Sequence, residues 1–412
     1  MVNFYRPSWI EIDLAALSYN LNQIMSLFAQ GMYVLAVVKA DAYGHGLIEV
    51  AKHLHSLGVN YLGVASLDEA MLLRKSGIPT PILVLGYVSP DDLQIASSYK
   101  ISITAVSLKH AKDIALTSIG LNLPLTVHLK VDTGMHRLGV KGEEVLPSAM
   151  ALKSAPDIRL EGLFTHLPMA DVDKNYTLGQ IRGFKGMISF LKKNGVEFDL
   201  IHLSNSAGLV FRDEFMSFCN MIRPGIVLYG EYPSDDFYKI LGLREVMSVK
   251  SVVQILRYVK KGEGIGYGHD FIAHKDSLIA VVPVGYGDGY PRLVSGRGQA
   301  IVNEHRVNIV GRICMDYLFI DVSSLDGEIR EGDEVVLLGR QGVNQIFARD
   351  IAGWCGTISY EIMCQMGRRL PRVFKDKSNV VKYLNNNRDV RYKSVDRNLA
   401  QRMGVWDVSR SN

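Results

Sequence analysis

The fold class predicted here is α/β: a (β/α)8 barrel of the TIM type followed by a mainly β domain. Three features predict it. Eight short apolar runs, mostly separated by helical segments, fill residues 33 to 229. Near Val246 the texture changes to longer strand-like stretches joined by Gly-rich turns. At 412 residues the chain has room for two or three domains, each with its own core. Eight βα alternations over roughly 200–250 residues fit a closed barrel better than an open sheet.

Taken in order, Trp9–Asp13 alternates like a strand, and Asp13 can cap a helix whose apolar positions run from Leu14 to Phe28. This first strand is expected to pair with the β domain. Tyr33–Val38 is a continuous apolar run, the mark of a strand buried on both faces. A helix over Leu47–Leu57 and a strand over Tyr61–Ala65 follow. Ser66-Leu-Asp-Glu69 is a capping-box signature that opens a helix to Lys75. The alternation continues with strands at Pro81–Leu85, Ile101–Val106, Leu125–Val131, Leu160–His166, Leu200–Leu203 and Ile226–Tyr229. The intervening helices are at Asp91–Ser98, Leu108–Leu116, Glu143–Ser154 and Tyr176–Asn194. In the β domain the strand-like segments are Val246–Val259, Leu278–Val284, Gln299–Val310, Tyr317–Asp321 and Asp333–Leu338, with one helix around Gln345–Cys355. The expected division is 12–245 for the barrel, 246–374 with 1–11 for the β domain, and 375–412 for a basic extension. That extension reads as a solvated, partly helical appendage or as a dimer-packing arm.

Composition narrows the classes of function. Hydrophobic residues make up 48% and charged residues 21%, a globular balance. The segment after Phe374 carries +5, where nine Lys and Arg face four Asp, and the rest of the chain about −1 of the formal +4. The body is therefore near neutral and offers no electrostatic reason to expect a nucleic-acid partner. The four cysteines form no C-x-x-C pair, which fits reduced thiols in a cytoplasmic protein better than disulfides or a zinc site. No apolar run approaches membrane-spanning length, and the first residues do not read as a signal peptide. No membrane partner and no metal are expected.

The carboxyl ends of the eight runs share one mouth in a barrel. They carry Lys39, Tyr43, Leu85, Lys130, Asp132, Arg137, His166, Asn205, Ser206, Arg223, Gly225 and Tyr229. Lys39 has two readings: a solvated ammonium capping the sheet edge, or a half-buried amine with lowered pKa suited to a Schiff base. Each of the others has a bland alternative, His166 as a strand-end hydrogen-bonder, Arg137 as a surface charge, Arg223-Pro-Gly225 as a tight turn. Jointly they suit an anionic, phosphate-bearing cofactor with a lysine anchor. The β domain adds three loops that gather Tyr, Arg and Asp. These are GIGYGHD with Tyr267, GYGDGYPR with Tyr286 and Asp288, and GRICMD with Arg312, Met315 and Asp316.

With AVVKADAYGHG, KVDTGMHRLG, IRPGIVLYG, VGYGDGYPR, GRICMD and GTISYE in place, the chain resembles the alanine racemases over residues 5–374. The resemblance implies a pyridoxal 5'-phosphate enzyme of the fold-type III class. It would be a homodimer with shared active sites that interconverts L- and D-alanine and supplies D-alanine for peptidoglycan. It implies Lys39 as covalent anchor and one base, with Tyr267 of the other subunit as the second base. Tyr43, Ser206, Gly225, Ile226 and Tyr360 would hold the phosphate, while Leu85, His166 and Asn205 would line the cofactor. Arg223 would face the pyridine nitrogen, with His166 in a network that links Arg223 and Tyr267. Arg137 and the partner's Met315 would meet the substrate, and Lys130, Asp316 and Tyr286 would support. Lys130 matches a position that is carbamylated in some members. His136 takes no role from the resemblance. A decarboxylase on the same fold would carry a glycine-rich phosphate loop and a Cys motif in its second domain, and neither is evident. A single-barrel cofactor carrier would lack the β-rich stretch from Val246 to Phe374. A racemase of another amino acid, such as serine, is set apart by Tyr360, and a secreted broad-specificity form by the signal peptide it would be expected to carry.

Overall fold

The computed structural model describes residues 5–376, apart from 235, 236, 238 and 239, and the backbone of 380–384 and 393–394. It divides into a unit of Ser18–Leu243 and a unit that joins the residues up to Leu17 with those from Arg244 onward. Strand β1 (Trp9–Asp13) belongs to the second of these.

The first unit is an eight-stranded all-parallel sheet. Its strands are β2 (Tyr33–Val37), β3 (Tyr61–Val64), β4 (Ile82–Val84), β5 (Ile103–Ala105), β6 (Leu125–Lys130), β7 (Ile158–Phe164), β8 (Leu200–His202) and β9 (Met221–Ile222). The spatial order is β4-β3-β2-β9-β8-β7-β6-β5. A parallel bridge between Leu83 and Ser102 closes the ends, with Ser102 N–H donating to Ile82 O at 2.9 Å and Val84 N–H to Ser102 O at 2.9 Å. Val34, Leu35, Ala36 and Val37 are all buried, as a strand covered on both faces requires. At Gly63 a Cβ would stand 2.3 Å from Leu35 Cδ2 on β2, so a larger residue there would have to push the Leu35 side chain aside.

One barrel strand differs from the sequence expectation. Ile226–Tyr229 forms a 3-10 turn, and the eighth strand is Met221–Ile222. Two residues suffice there because Met221 and Ile222 pair with Tyr33 and Val34 while Met221 also pairs with His202. So short an apolar pair is masked by the longer run that follows it.

The second unit continues with β10 (Met247–Val252), β11 (Ile255–Val259), β12 (Gly264–Ile265), β13 (Phe271–Ile272), β14 (Ser277–Val282), β15 (Gln299–Val302) and β16 (His305–Val310). After these come β17 (Leu318–Asp321), β18 (Glu334–Gln341), β19 (Asn344–Ile346) and β20 (Arg372–Lys375). β1 lies between β10, which it pairs antiparallel, and β20, which it pairs parallel.

Three long segments read as single elements are broken. Val246–Val259 is two strands, β10 paired with β18 and β11 with β14. Gln299–Val310 is a hairpin that turns at Asn303 and Glu304, whose φ values of 47° and 63° are those of a type I′ turn. Gln345–Cys355 begins in strand β19 and becomes helical only from Ala348, and a further helix spans Ser359–Gln365. The tail, expected to be partly helical, instead begins with β21 (Val380–Leu384), antiparallel to β20, followed by β22 (Lys393–Ser394). The rest of the tail lies outside the described residues. Among the described residues, no helix is long and apolar enough to cross a membrane.

Candidate active site

Lys39 is half-buried where β2 ends, and the chain beyond it turns the wrong way for L-residues. Ala40, Asp41, Ala42 and Tyr43 all have φ between 53° and 55°, forming a turn of left-handed helix with no glycine in it. Such geometry costs roughly 1–2 kcal/mol per residue, so the surroundings must hold it. Ala42 N–H donates to Val38 O at 2.8 Å, Gly44 N–H to Ala40 O at 2.9 Å, and Leu47 N–H to Asp41 Oδ1 at 2.8 Å. Glu69 binds Ala40 N–H at 2.7 Å and Ala65 N–H at 2.8 Å, tying the ends of β2 and β3 together. Strain retained at this level clusters at functional sites.

The turn delivers the Tyr43 side chain to a small cradle. Its hydroxyl lies over Gly225, where a Cβ would stand 2.5 Å from it, and Gly225 N–H donates to Ser206 Oγ at 2.9 Å. Ile226 opens the 3-10 turn that follows, and the first N–H groups of such a turn have no partner inside it. Tyr229 braces the cradle from behind: its ring packs 4.9 Å from that of Tyr43, and its hydroxyl donates to Val37 O at 3.0 Å. Leu85 sits half-buried just past β4, next to β3.

Beside the cradle the mouth is crowded with cations. Burial, then Arg223, Lys130, Arg137 and Lys39, press His166 down to a pKa of about 3, so its ring is neutral. His166 Nε2 accordingly lies 3.4 Å from Asn205 Nδ2, an amide donor, while Asn205 also donates to Leu167 O at 3.0 Å. Burial, then Arg137 and Arg223, lower Lys130 to about 8. Arg223 is buried and is lowered to about 10 by that burial. Its guanidinium donates to Thr165 O at 2.6 Å, Leu203 O at 3.1 Å and His202 Nδ1 at 3.0 Å. Lys39, Lys130, Arg137, His166 and Arg223 are thus within electrostatic reach of one another.

The exposed Arg137 is carried by the loop after β6, and His136 shapes that loop. His136 has φ 56°, and its N–H and that of Gly134 each donate to Asp132 Oδ1 at 3.0 Å. Burial would raise the Asp132 pKa, but these two bonds, with the His136 ring and Lys141 nearby, hold it below the usual carboxylate range.

In the β unit the three motif loops are linked to one another. Asp270, beside the Tyr267 turn, is hydrogen-bonded to Arg312. Tyr286 N–H donates to Cys314 O at 3.0 Å and Gly287 N–H to Met315 O at 2.9 Å. Asp288, fully buried, receives both Arg6 Nη atoms at 2.6 and 2.7 Å, and Asp316 accepts from Arg369 at 2.6 Å. This lattice leaves Tyr267 70%, Met315 53% and Tyr286 41% exposed on one small region. Tyr360 lies half-buried on the helix Ser359–Gln365. Sequence reasoning read Glu69 only as a capping-box residue, and it missed His202, His128 and Glu161. Histidine at mid-strand in LTVHLK was the one available signal for the inner network.

Barrel enzymes keep their chemistry at the carboxyl ends of the strands, and an amine, an anion cradle and fixed cations stand there; the class is a barrel enzyme with a second, mainly β domain. Known proteins narrow it. Residues 12–233 match the family model for the alanine racemase N-terminal domain, and residues 246–374 the model for the C-terminal domain. The alanine racemase of Halothermothrix orenii is 41% identical over 374 residues, covering 90% of this chain and 98% of that one. The crystal structure of the Bacillus anthracis alanine racemase with bound L-Ala-P superposes with a TM-score of 0.86 at 35% identity, over 93% of this chain and 99% of that one. A histidine racemase from Leuconostoc mesenteroides also shares the fold, at 29% identity and TM-score 0.82, over 91% and 99% of the two chains. The chain belongs to the alanine racemase family.

Proposed function

We propose that this protein racemises alanine, with pyridoxal 5'-phosphate held in the barrel mouth and the site completed by Tyr267 and Met315 of a second copy. The observation that supports the reading is a half-buried Lys39 at the end of β2, within electrostatic reach of His166 and Lys130, in the same barrel unit as a cradle of two hydroxyls over a glycine. A phosphate fits where Gly225 leaves room, with Tyr43, Ser206 and the Ile226 N–H as donors, and Tyr360 is assigned to the same group. Leu85, His166 and Asn205 line the remainder.

Bound there, pyridoxal phosphate supplies an electron sink that acidifies the substrate Cα–H. Racemisation then needs one base on each face of Cα. Lys39 Nζ takes or returns the proton on one face and Tyr267 OH on the other. Arg137 pairs with the substrate carboxylate, in the bidentate geometry that guanidinium favours. Arg223 would lie toward the ring nitrogen and donate a hydrogen bond to it without giving up its proton, which would moderate the electron sink and disfavour side reactions. The exposed Tyr267, Met315 and Tyr286 suit an interface between copies, and Asp316 steadies the Met315 loop through Arg369. A mouth bounded by tyrosines and Met315 favours a short side chain, so alanine is the substrate assigned. D-alanine made in the cytoplasm would feed peptidoglycan synthesis.

Borohydride reduction of the cofactor-loaded protein, followed by peptide mapping, tests the anchor. The expected product carries the reduced cofactor on Lys39 and is absent from Lys39→Ala. Label retained at another lysine would overturn the assignment.

A further inference from the structure

Beneath the mouth a chain of buried polar groups runs down the barrel interior from Arg223. A guanidinium has only donors to offer, so the 3.0 Å contact from Arg223 Nη1 makes His202 Nδ1 an acceptor. The His202 proton is then on Nε2, which lies 3.0 Å from His128 Nδ1. That nitrogen must accept in turn, so His128 carries its proton on Nε2, 3.0 Å from Glu161 Oε2. Tyr61 OH donates to the same carboxylate oxygen, and Arg159 Nη2 lies 3.2 Å from the other. Direction and protonation are therefore set along the whole chain. A second proton on His128 would require His202 to accept at both nitrogens, which only an anionic imidazole could do.

The setting is built for this arrangement. His128 and His202 are fully buried, Arg223, Glu161 and Tyr61 nearly so. Gly162 faces His128, where a Cβ would stand 2.1 Å from Nδ1. Phe164 stacks on His202 at 4.7 Å and 8°, and the Arg223 guanidinium lies 5.2 Å from the same ring. Burial, opposed by Glu161, lowers the His128 pKa, and burial with Arg223 lowers that of His202. Among the described residues no carboxylate pairs with Arg223 directly, and a buried cation without compensation is costly.

We propose that Glu161 is a remote positioning residue for Arg223, acting through the neutral imidazoles of His128 and His202 to compensate its charge and fix the direction of its donors. The proposal rests on the reading that Arg223 faces the cofactor ring nitrogen. Cations and anions are thereby separated along the barrel: Arg223 serves the mouth, and its counter-charge sits at the far end of the relay, where the buried Glu161 meets the exposed Arg159, itself paired with the exposed Asp199 at 2.8 Å. Dipolar chains of this kind strengthen each bond in a low-dielectric interior.

Histidine-selective ¹⁵N labelling of the full chain, without cofactor, reads the relay directly. His128 and His202 are expected as neutral Nε2–H tautomers throughout a pH range of about 5.5 to 8.5. In Glu161→Gln the His128 Nε2–H resonance moves upfield as a charge-assisted bond becomes a neutral one. The loaded Glu161→Gln enzyme then loses roughly tenfold in kcat with KM moved by about twofold at most, since one charge-assisted hydrogen bond is worth about a decade in rate. Tyr61→Phe, which keeps the carboxylate, stays within about twofold of the parent. A proton on His202 Nδ1, a cationic His128, or unchanged kcat in Glu161→Gln would overturn the proposal. Should Glu161→Gln fail to fold, the parent tautomers still decide it. Failure of the parent to bind pyridoxal phosphate would instead overturn the reading of the mouth, while the tautomers, measured without it, still test the relay.

Discussion

At the scale of single residues, Lys130 shows how burial and neighbours change what a side chain can do. Its pKa of about 8 leaves about a tenth of the amine neutral at pH 7. That form can attack carbon dioxide, giving a carbamate and a proton. The resulting anion would face Arg137 and Arg223, and the like-charge pressure on the lysine would become attraction. Protein equilibrated with ¹³C-bicarbonate should therefore show a carbamate carbon resonance that Lys130→Met lacks. The signal should fall as pH drops below about 8 and the amine protonates. No difference between the two proteins would contradict the account. Lys130 was visible in the sequence as a strand-end residue, but its environment was not, because Arg137, Arg223 and Lys39 come from segments far apart in the chain. His136 was legible only as a residue without a role. It serves through its backbone N–H at positive φ, as well as through its ring beside Asp132, and the backbone part is one that no side-chain argument could supply.

At the scale of elements, what was legible followed from apolar runs. Tyr33–Val38 and Tyr61–Ala65 each hold a barrel strand, because a strand covered on both faces is mostly apolar, and Leu125–Val131 holds another although Thr126, His128 and Lys130 interrupt its apolar run. What was hidden followed from local backbone chemistry. Met221–Ile222 is too short to show a period, and Asn303-Glu304 turns a hairpin inside what reads as one strand. The left-handed turn is the clearest case, since Lys-Ala-Asp-Ala-Tyr is a good right-handed helix sequence and only its hydrogen bonds to Val38, Asp41 and Glu69 hold it otherwise. Ala40 is exposed, and its contact with Glu69 is made by its backbone. Ala40→Gly should therefore stabilise the protein by about 0.5–1 kcal/mol, the left-handed cost relieved less the extra glycine entropy. A higher denaturation midpoint with an unchanged slope for the cofactor-free protein would show it. A lower midpoint would mean that the turn is not strained.

At the scale of the whole molecule, the division of labour between barrel and β loops has a consequence for mixing. If Lys39 serves one chain's mouth and Tyr267 the other's, a dimer of a Lys39→Ala chain with a Tyr267→Phe chain contains one intact site. Random exchange makes half of the dimers mixed, so equal mixing should restore about a quarter of the parent rate from two impaired proteins. Activity that stays at the sum of the two variants would mean that each site is built within one chain. The sequence offered the motifs for both halves, and the residue types alone could not show that Tyr267 and Met315 are exposed on a lattice of linked loops.

Proton exchange at Cα tests the central claim most directly. L-alanine incubated in D₂O with the cofactor-loaded protein, followed by proton NMR and chiral analysis, should show deuterium at Cα and the appearance of D-alanine. Loss of the Cα proton without inversion would leave only one working base and contradict the role of Tyr267. No exchange at all would contradict racemisation of alanine by this chain.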